Sequence, residues 1–108
     1  MMRVLLEMWG FQVIEADGET ETISKAESER PELIVIDTSK QFEDEIKLVS
    51  QIRGSGAQTS VPIIVLSGYP QADYQKAAFE HGATGHLIKP LDLDMFEDYL
   101  DTCLEQFR

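Results

Sequence analysis

"PELIVIDTSK", residues 31–40, decides the fold. Leu33 to Ile36 are four apolar residues in a row, and they run straight into Asp37. A strand with one wet face alternates apolar and polar side chains. An unbroken run predicts a strand covered on both faces, as in a parallel sheet. The pattern returns in "VPIIVLS", residues 61–67, where Val61 to Leu66 predict a second such strand and Ser67 closes it. Pro62 stands at its start, where a missing N–H is tolerated. Gly85 to Lys89, "GHLIK", predict a shorter third strand.

Helical patterns separate these runs. Met1 to Trp9 read as helix with Gly10 as the stop. Phe11 to Ala16 carry Phe11, Val13 and Ile14 and predict a short strand before an Asp17-Gly18 turn. Glu19 to Glu29 predict a weakly apolar helix held by Ile23 and Ala26, which Pro31 breaks. Glu43 to Arg53 predict a helix with Ile46, Val49 and Ile52 on one stripe, acids at its start and Arg53 at its end, in line with the helix dipole. Residues 54–60 read as a loop. Pro70 fits the first turn of a helix that runs to His81 and stops at Gly82. Asp92 caps a last helix whose Phe96, Leu100, Cys103, Leu104 and Phe107 share a face. The predicted order is α-β-α-β-α-β-α-β-α. Such alternation means an α/β fold, a parallel sheet with helices on both faces.

Composition bounds the function. The 108 residues are expected to form one domain, 1–108, with 43% hydrophobic and 27% charged residues. The net charge of −11 argues against nucleic acid as a partner, since phosphates would be repelled. No apolar run is long enough for a membrane helix. Arg3 and Glu7 and the lack of a cleavage site argue against a secretory leader, so a cytoplasmic location is expected. Cys103 is the one cysteine, which excludes an internal disulfide. With two histidines besides, no transition-metal site stands out. Met8 and Trp9 are expected in the core, and Cys103 in the core or at a helix interface. No Gly-rich phosphate loop and no Ser-His-Asp motif is present, so neither a nucleotide site nor an enzyme is indicated.

In parallel sheets, ligands and chemistry sit at the carboxyl ends of the strands. Asp37, Ser67 and Lys89 each close a predicted strand. A carboxylate, a hydroxyl and a lysine around one point suit phosphoryl chemistry: the first as nucleophile, the second as hydrogen-bond donor, the third as a point charge for phosphoryl oxygens. Each alone has an ordinary explanation as a turn brace or cap. Their joint placement is what carries the functional reading.

On these residues the chain resembles the receiver domain of bacterial two-component response regulators, the CheY-like, flavodoxin-like three-layer sandwich. Asp37 closes "LIVID"; Ser67 follows thirty residues on with Gly68 behind it; Lys89 follows a further twenty-two on, with Pro90 behind it. "GFQVIEADG", "ERPELIVID" and "AFEHGATGHLIKPLD" also read as phrases of that family. The resemblance implies that Asp37 accepts a phosphoryl group from a histidine kinase or phosphotransfer protein. It implies Mg2+ held by Asp37, by an acidic pair on the first strand and by the backbone carbonyl of Ser39. It also implies a switch in which Ser67 moves inward and an aromatic three residues before the lysine follows.

Three departures accompany the resemblance. The sequence holds no counterpart of the family's first strand, which is central in the order 2-1-3-4-5, nor of its acidic pair. Either further residues lie upstream of those given, or the second and third strands would pair directly, or a strand would be swapped or borrowed in a dimer. After Asp37 the family's Met-Pro and turn Gly are replaced by Lys40, Gln41 and Glu45. The switch aromatic is His86, able to charge near neutral pH; its ordinary reading is a half-exposed strand residue. A magnesium ion prefers more than one carboxylate, so poor phosphorylation is expected. The alternative is a degenerate receiver that works as an interaction or dimerisation module through its last helix and strand, with Met95 and Tyr99 exposed there.

Overall fold

A computed structural model describes residues 2–16, 18–38, 42–54, 61–68 and 72–106. Its elements are α1 (Met2–Met8), α2 (Gly18–Glu29), β1 (Ile34–Asp37), α3 (Phe42–Gly54), β2 (Ile63–Ser67), α4 (Ala72–Glu80), β3 (Gly85–Ile88) and α5 (Leu93–Gln106). The strands form one parallel sheet in the order β1-β2-β3. Register pairs Ile34 with Ile63 and Asp37 with Leu66, then Ile64 with Gly85 and Ser67 with Ile88.

The apolar runs dictate this layering. In β2 successive side chains face opposite ways, so an all-apolar strand feeds two cores. Ile63 and Val65 join Ile36, Ile46, Val49, Ile52 and Ala78 under α3 and α4. Ile64 and Leu66 join Phe96, Leu100 and Cys103 under α5. Leu5, Leu6 and Trp9 bring α1 onto that second core, where the Trp9 and Phe96 rings meet edge to face at 5.8 Å. All five residues of β2 are buried. The result is the three-layer α/β sandwich that the alternation predicts.

Helix ends follow their local chemistry. Gly10 and Gly82 adopt φ of 92° and 108°, a left-handed conformation that needs no Cβ, and stop α1 and α4. The Asp92 side chain accepts from the Met95 amide at 3.2 Å and starts α5. Pro70 and Phe107 lie outside the described residues. Arg53 does more than face a dipole. Its guanidinium donates to the carbonyls of Val61 and Gly82 and to Thr84 Oγ1, tying α3 to the amino ends of β2 and β3.

Three expectations need correction. Residues 11–16 form no strand. A strand exists only by pairing, and among the described residues no strand lies beside them. The sheet therefore has three described strands rather than four, and β1 is at its edge. Met8 is 77% exposed, because it lies on the face of α1 turned away from Leu5, Leu6 and Trp9. Tyr99 is not an exposed flank of α5. It packs into the second core over Gly85, where an added Cβ would stand 1.8 Å from its hydroxyl.

Candidate functional site

The carboxyl ends of the three strands meet at one end of the sheet. Asp37 is the last residue of β1, Ser67 the last of β2, and Lys89 follows β3 directly. Asp37 is exposed, as a strand-end carboxylate must be to keep its charge hydrated. Ser67 is fully buried. Its carbonyl accepts from the Lys89 amide at 2.8 Å, which carries the β2–β3 ladder one step past the last strand residue.

Side chains complete the meeting. The Lys89 ammonium forms an ion pair with Asp37 Oδ1 and also lies 3.4 Å from the carbonyl of Thr38. Lys89 can reach across because β2, which separates β1 from β3, ends in a small residue at that level. The peptide between Lys89 and Pro90 is cis. The arrangement places a carboxylate, a cation and a hydroxyl at adjacent strand ends.

Thr38 is the site residue that the sequence reading passed over. It is fully buried, its amide donates to Leu66 O at 2.9 Å, and its hydroxyl donates to the same carbonyl at 2.7 Å. The two bonds pin the end of β1 to β2 and so fix where Asp37 starts. A threonine directly after a strand-end aspartate was the available signal, since its hydroxyl can extend a ladder whose backbone is turning away.

The resemblance implies a Mg2+ ion at this end of the sheet, and the donors present bear on whether it fits. Among the described residues no cluster of three or more His, Cys, Asp or Glu side chains could hold a metal ion. Asp37 offers one carboxylate, and one of its oxygens already faces Lys89. A hard dication needs several oxygen ligands, so these residues do not fit tight magnesium binding. Ser39, expected to give a carbonyl, lies outside the described residues, as do Lys40, Gln41 and the side chains of Glu43 and Asp44.

His86 is buried in β3 rather than half-exposed. Burial holds its pKa below the usual imidazole value, so it stays neutral near pH 7 in the folded chain. His81 is elsewhere, at the end of α4, with its Nδ1 2.6 Å from Ser50 Oγ on α3. Cys103 is buried in the second core, and burial raises its pKa, which keeps it a thiol.

Comparison with known proteins decides the family. The model of the response regulator receiver domain matches residues 1–101. The chain belongs to the response regulator receiver domain family. Among curated relatives, the transcriptional regulatory protein PrrA of Mycobacterium tuberculosis is 33% identical over 88 residues, which are 82% of this chain and 37% of that protein. ZraR of Klebsiella oxytoca is 27% identical over 108 residues, all of this chain and 24% of that protein. The chain thus spans 24% of the length of ZraR and 37% of that of PrrA. Among solved structures, a two-component response regulator from Clostridium difficile superposes with a TM-score of 0.83 at 25% identity, covering 96% of this chain and 84% of that one. A response regulator from Burkholderia pseudomallei, solved with a phosphorylated aspartic acid, a calcium ion and citrate, gives 0.78 at 25% identity and covers 97% of this chain and 61% of its own. Among the described residues of this receiver, no helix is long and apolar enough to cross a membrane.

Proposed function

We propose that this receiver takes a phosphoryl group on Asp37 from a histidine kinase or a phosphotransfer protein, and that the site as it stands reacts poorly. The observation that carries the reading is the convergence of Asp37, Ser67 and Lys89 at the carboxyl ends of neighbouring parallel strands, with the lysine already on the carboxylate. A carboxylate oxygen of Asp37 attacks phosphorus; the new O–P bond forms as the P–N bond to the donor imidazole breaks, and the electron pair leaves with that imidazole. Lys89 then holds a phosphoryl oxygen by charge, and the Ser67 hydroxyl donates to another. The phosphorylated aspartic acid in the Burkholderia regulator supports an aspartyl acceptor in a fold of this kind.

Poor reactivity rests on the donor set. Two negative groups must approach, and the described residues place one lysine and no metal cluster against that repulsion. The relatives are named transcriptional regulatory proteins. For this chain we infer protein partners rather than nucleic acid, on the net charge of −11.

A second reading has its own support. Because Lys89 neutralises Asp37 without phosphate, the site is already in a charge-balanced state, which suits a degenerate receiver that contacts partners without phosphorylation. A small phosphodonor with magnesium separates the two. Mass spectrometry after acetyl phosphate should find low occupancy on Asp37, absent in Asp37→Asn and rising with magnesium. No adduct at any magnesium concentration gives the second reading. Beryllofluoride with magnesium should leave the NMR signals of Asp37, Ser67 and His86 nearly unmoved; large shifts there would overturn the poor-reactivity proposal.

A further inference from the structure

Thr38 is fully buried at a place where a valine would fill nearly the same volume. A hydroxyl taken out of water costs free energy unless a hydrogen bond compensates it, so its presence calls for a reason beyond packing. The reason lies in what it holds. Its hydroxyl and its amide both donate to Leu66 O, at 2.7 and 2.9 Å. This doubled bond falls one step beyond the Asp37–Leu66 pair, where β1 has already ended. The last step of a ladder has no following bond to support it. A second donor on the same carbonyl supplies that support.

Thr38 also connects to each of the three site residues. Asp37 precedes it in the chain. Leu66 O belongs to the peptide group that carries the Ser67 amide, so whatever holds this carbonyl holds the start of Ser67. The Thr38 carbonyl lies 3.4 Å from the Lys89 ammonium, and that same ammonium pairs with Asp37 Oδ1. Carboxylate, hydroxyl and cation are thus referred to one buried residue. Such placement matters to group transfer, because a misplacement of about 1 Å can cost about a hundredfold in rate.

We propose that Thr38 is a positioning residue of this site. Its hydroxyl bond to Leu66 O fixes the end of β1 so that Lys89 bridges the Asp37 carboxylate and the Thr38 carbonyl. The bearing on phosphoryl transfer rests on the reading of Asp37 as the acceptor; the placement of Lys89 does not. What the site requires at residue 38 is the hydroxyl. For a residue that only packs, volume matters and the hydroxyl does not.

The test reads Lys89 in the whole chain with no phosphodonor present. Acetic anhydride at low conversion acetylates each lysine according to how free its amine is. Mass spectrometry of peptides gives the Lys89 rate relative to the exposed Lys47 and Lys76. Asp37→Asn sets the rate of Lys89 without its carboxylate partner. Thr38→Val keeps the volume and loses the hydroxyl, and should raise the relative Lys89 rate about fivefold, the factor that the net worth of one hydrogen bond corresponds to. Thr38→Ser keeps the hydroxyl and loses a methyl. It should unfold at lower urea yet leave the Lys89 rate within about twofold of the unaltered chain. Should Thr38→Val lose its folded spectrum, Thr38→Cys replaces it, since a thiol is a weak donor, and the same rise is expected. The proposal is overturned by an unchanged Lys89 rate in the variant that lacks the hydroxyl, or by an equal rise in Thr38→Ser. Failure of the phosphoryl reading shows instead in the acetyl phosphate experiment, so the two failures are distinct.

Discussion

β1 and β2 are written in nearly the same letters, yet they live in different places. "LIVID" and "IIVLS" are both apolar runs closed by a polar residue. β2 is paired on both sides and wholly buried, whereas in β1 only Ile36 is buried and Asp37 is exposed. Composition made both strands; the number of neighbours decided what each side chain contributes. It also decided chemistry. The closing hydroxyl of the central strand is buried, and the closing carboxylate of the edge strand is exposed and paired with Lys89.

The contrast can be broken most forcefully in the core. Ile64→Ala in β2, at a fully buried site, should cost about 2–5 kcal/mol, and Val35→Ala in β1 well under half of that. Urea unfolding of both variants measures it, and equal losses would mean that β1 is covered as β2 is. Gly85→Ala tests the other flank of β2. The new methyl would collide with the Tyr99 ring and hydroxyl, an overpacking cost of about 1–3 kcal/mol. Gly85→Ala combined with Tyr99→Ala should lose less than the sum of the two single changes.

A third experiment uses pH. The folded pKa of His86 is lowered by burial, so below the unfolded value of about 6.5 the unfolded chain binds more protons than the folded one. Stability should therefore fall as pH drops through about 6.5 toward the lower folded value. His86→Phe should flatten that part of the curve in thermal melts at pH 7 and pH 5.5. The smallest effect belongs to the exposed ion pair. Asp37 and Lys89 side chains are 49% and 35% exposed, so Asp37→Asn should change stability by less than about 1 kcal/mol while it removes the proposed acceptor. A larger loss would show that the pair braces the edge strand.

The three strands and four of the five helices were legible because each has a local cause: an unbroken apolar run, a capping aspartate, a stopping glycine. The first helix and its stop at Gly10 were legible too, but not which of its side chains turn inward, so Met8 was misplaced and Leu5 and Leu6 were passed over. Residues 11–16 were misread because Phe11, Val13 and Ile14 have strand-forming character, while pairing needs a neighbour that no local pattern reveals. That Asp37, Ser67 and Lys89 come together at one end of the sheet was readable from their strand-end positions. Thr38 was not, since its two bonds to Leu66 depend on register between segments far apart in the chain.

By itself the sequence determined that the fold is α/β, that the strands are parallel, and that an aspartate, a serine and a lysine close them. These follow from periodicity and from the rule that strand ends in such sheets face one side. Only the tertiary structure decided that, among the described residues, "LIVID" lies at the edge of the sheet, that the lysine rests on the aspartate, and that His86 is buried. Those are properties of neighbours: exposure, pairing and charge balance depend on what folds alongside a residue, and a chain read in one dimension does not contain its own neighbours.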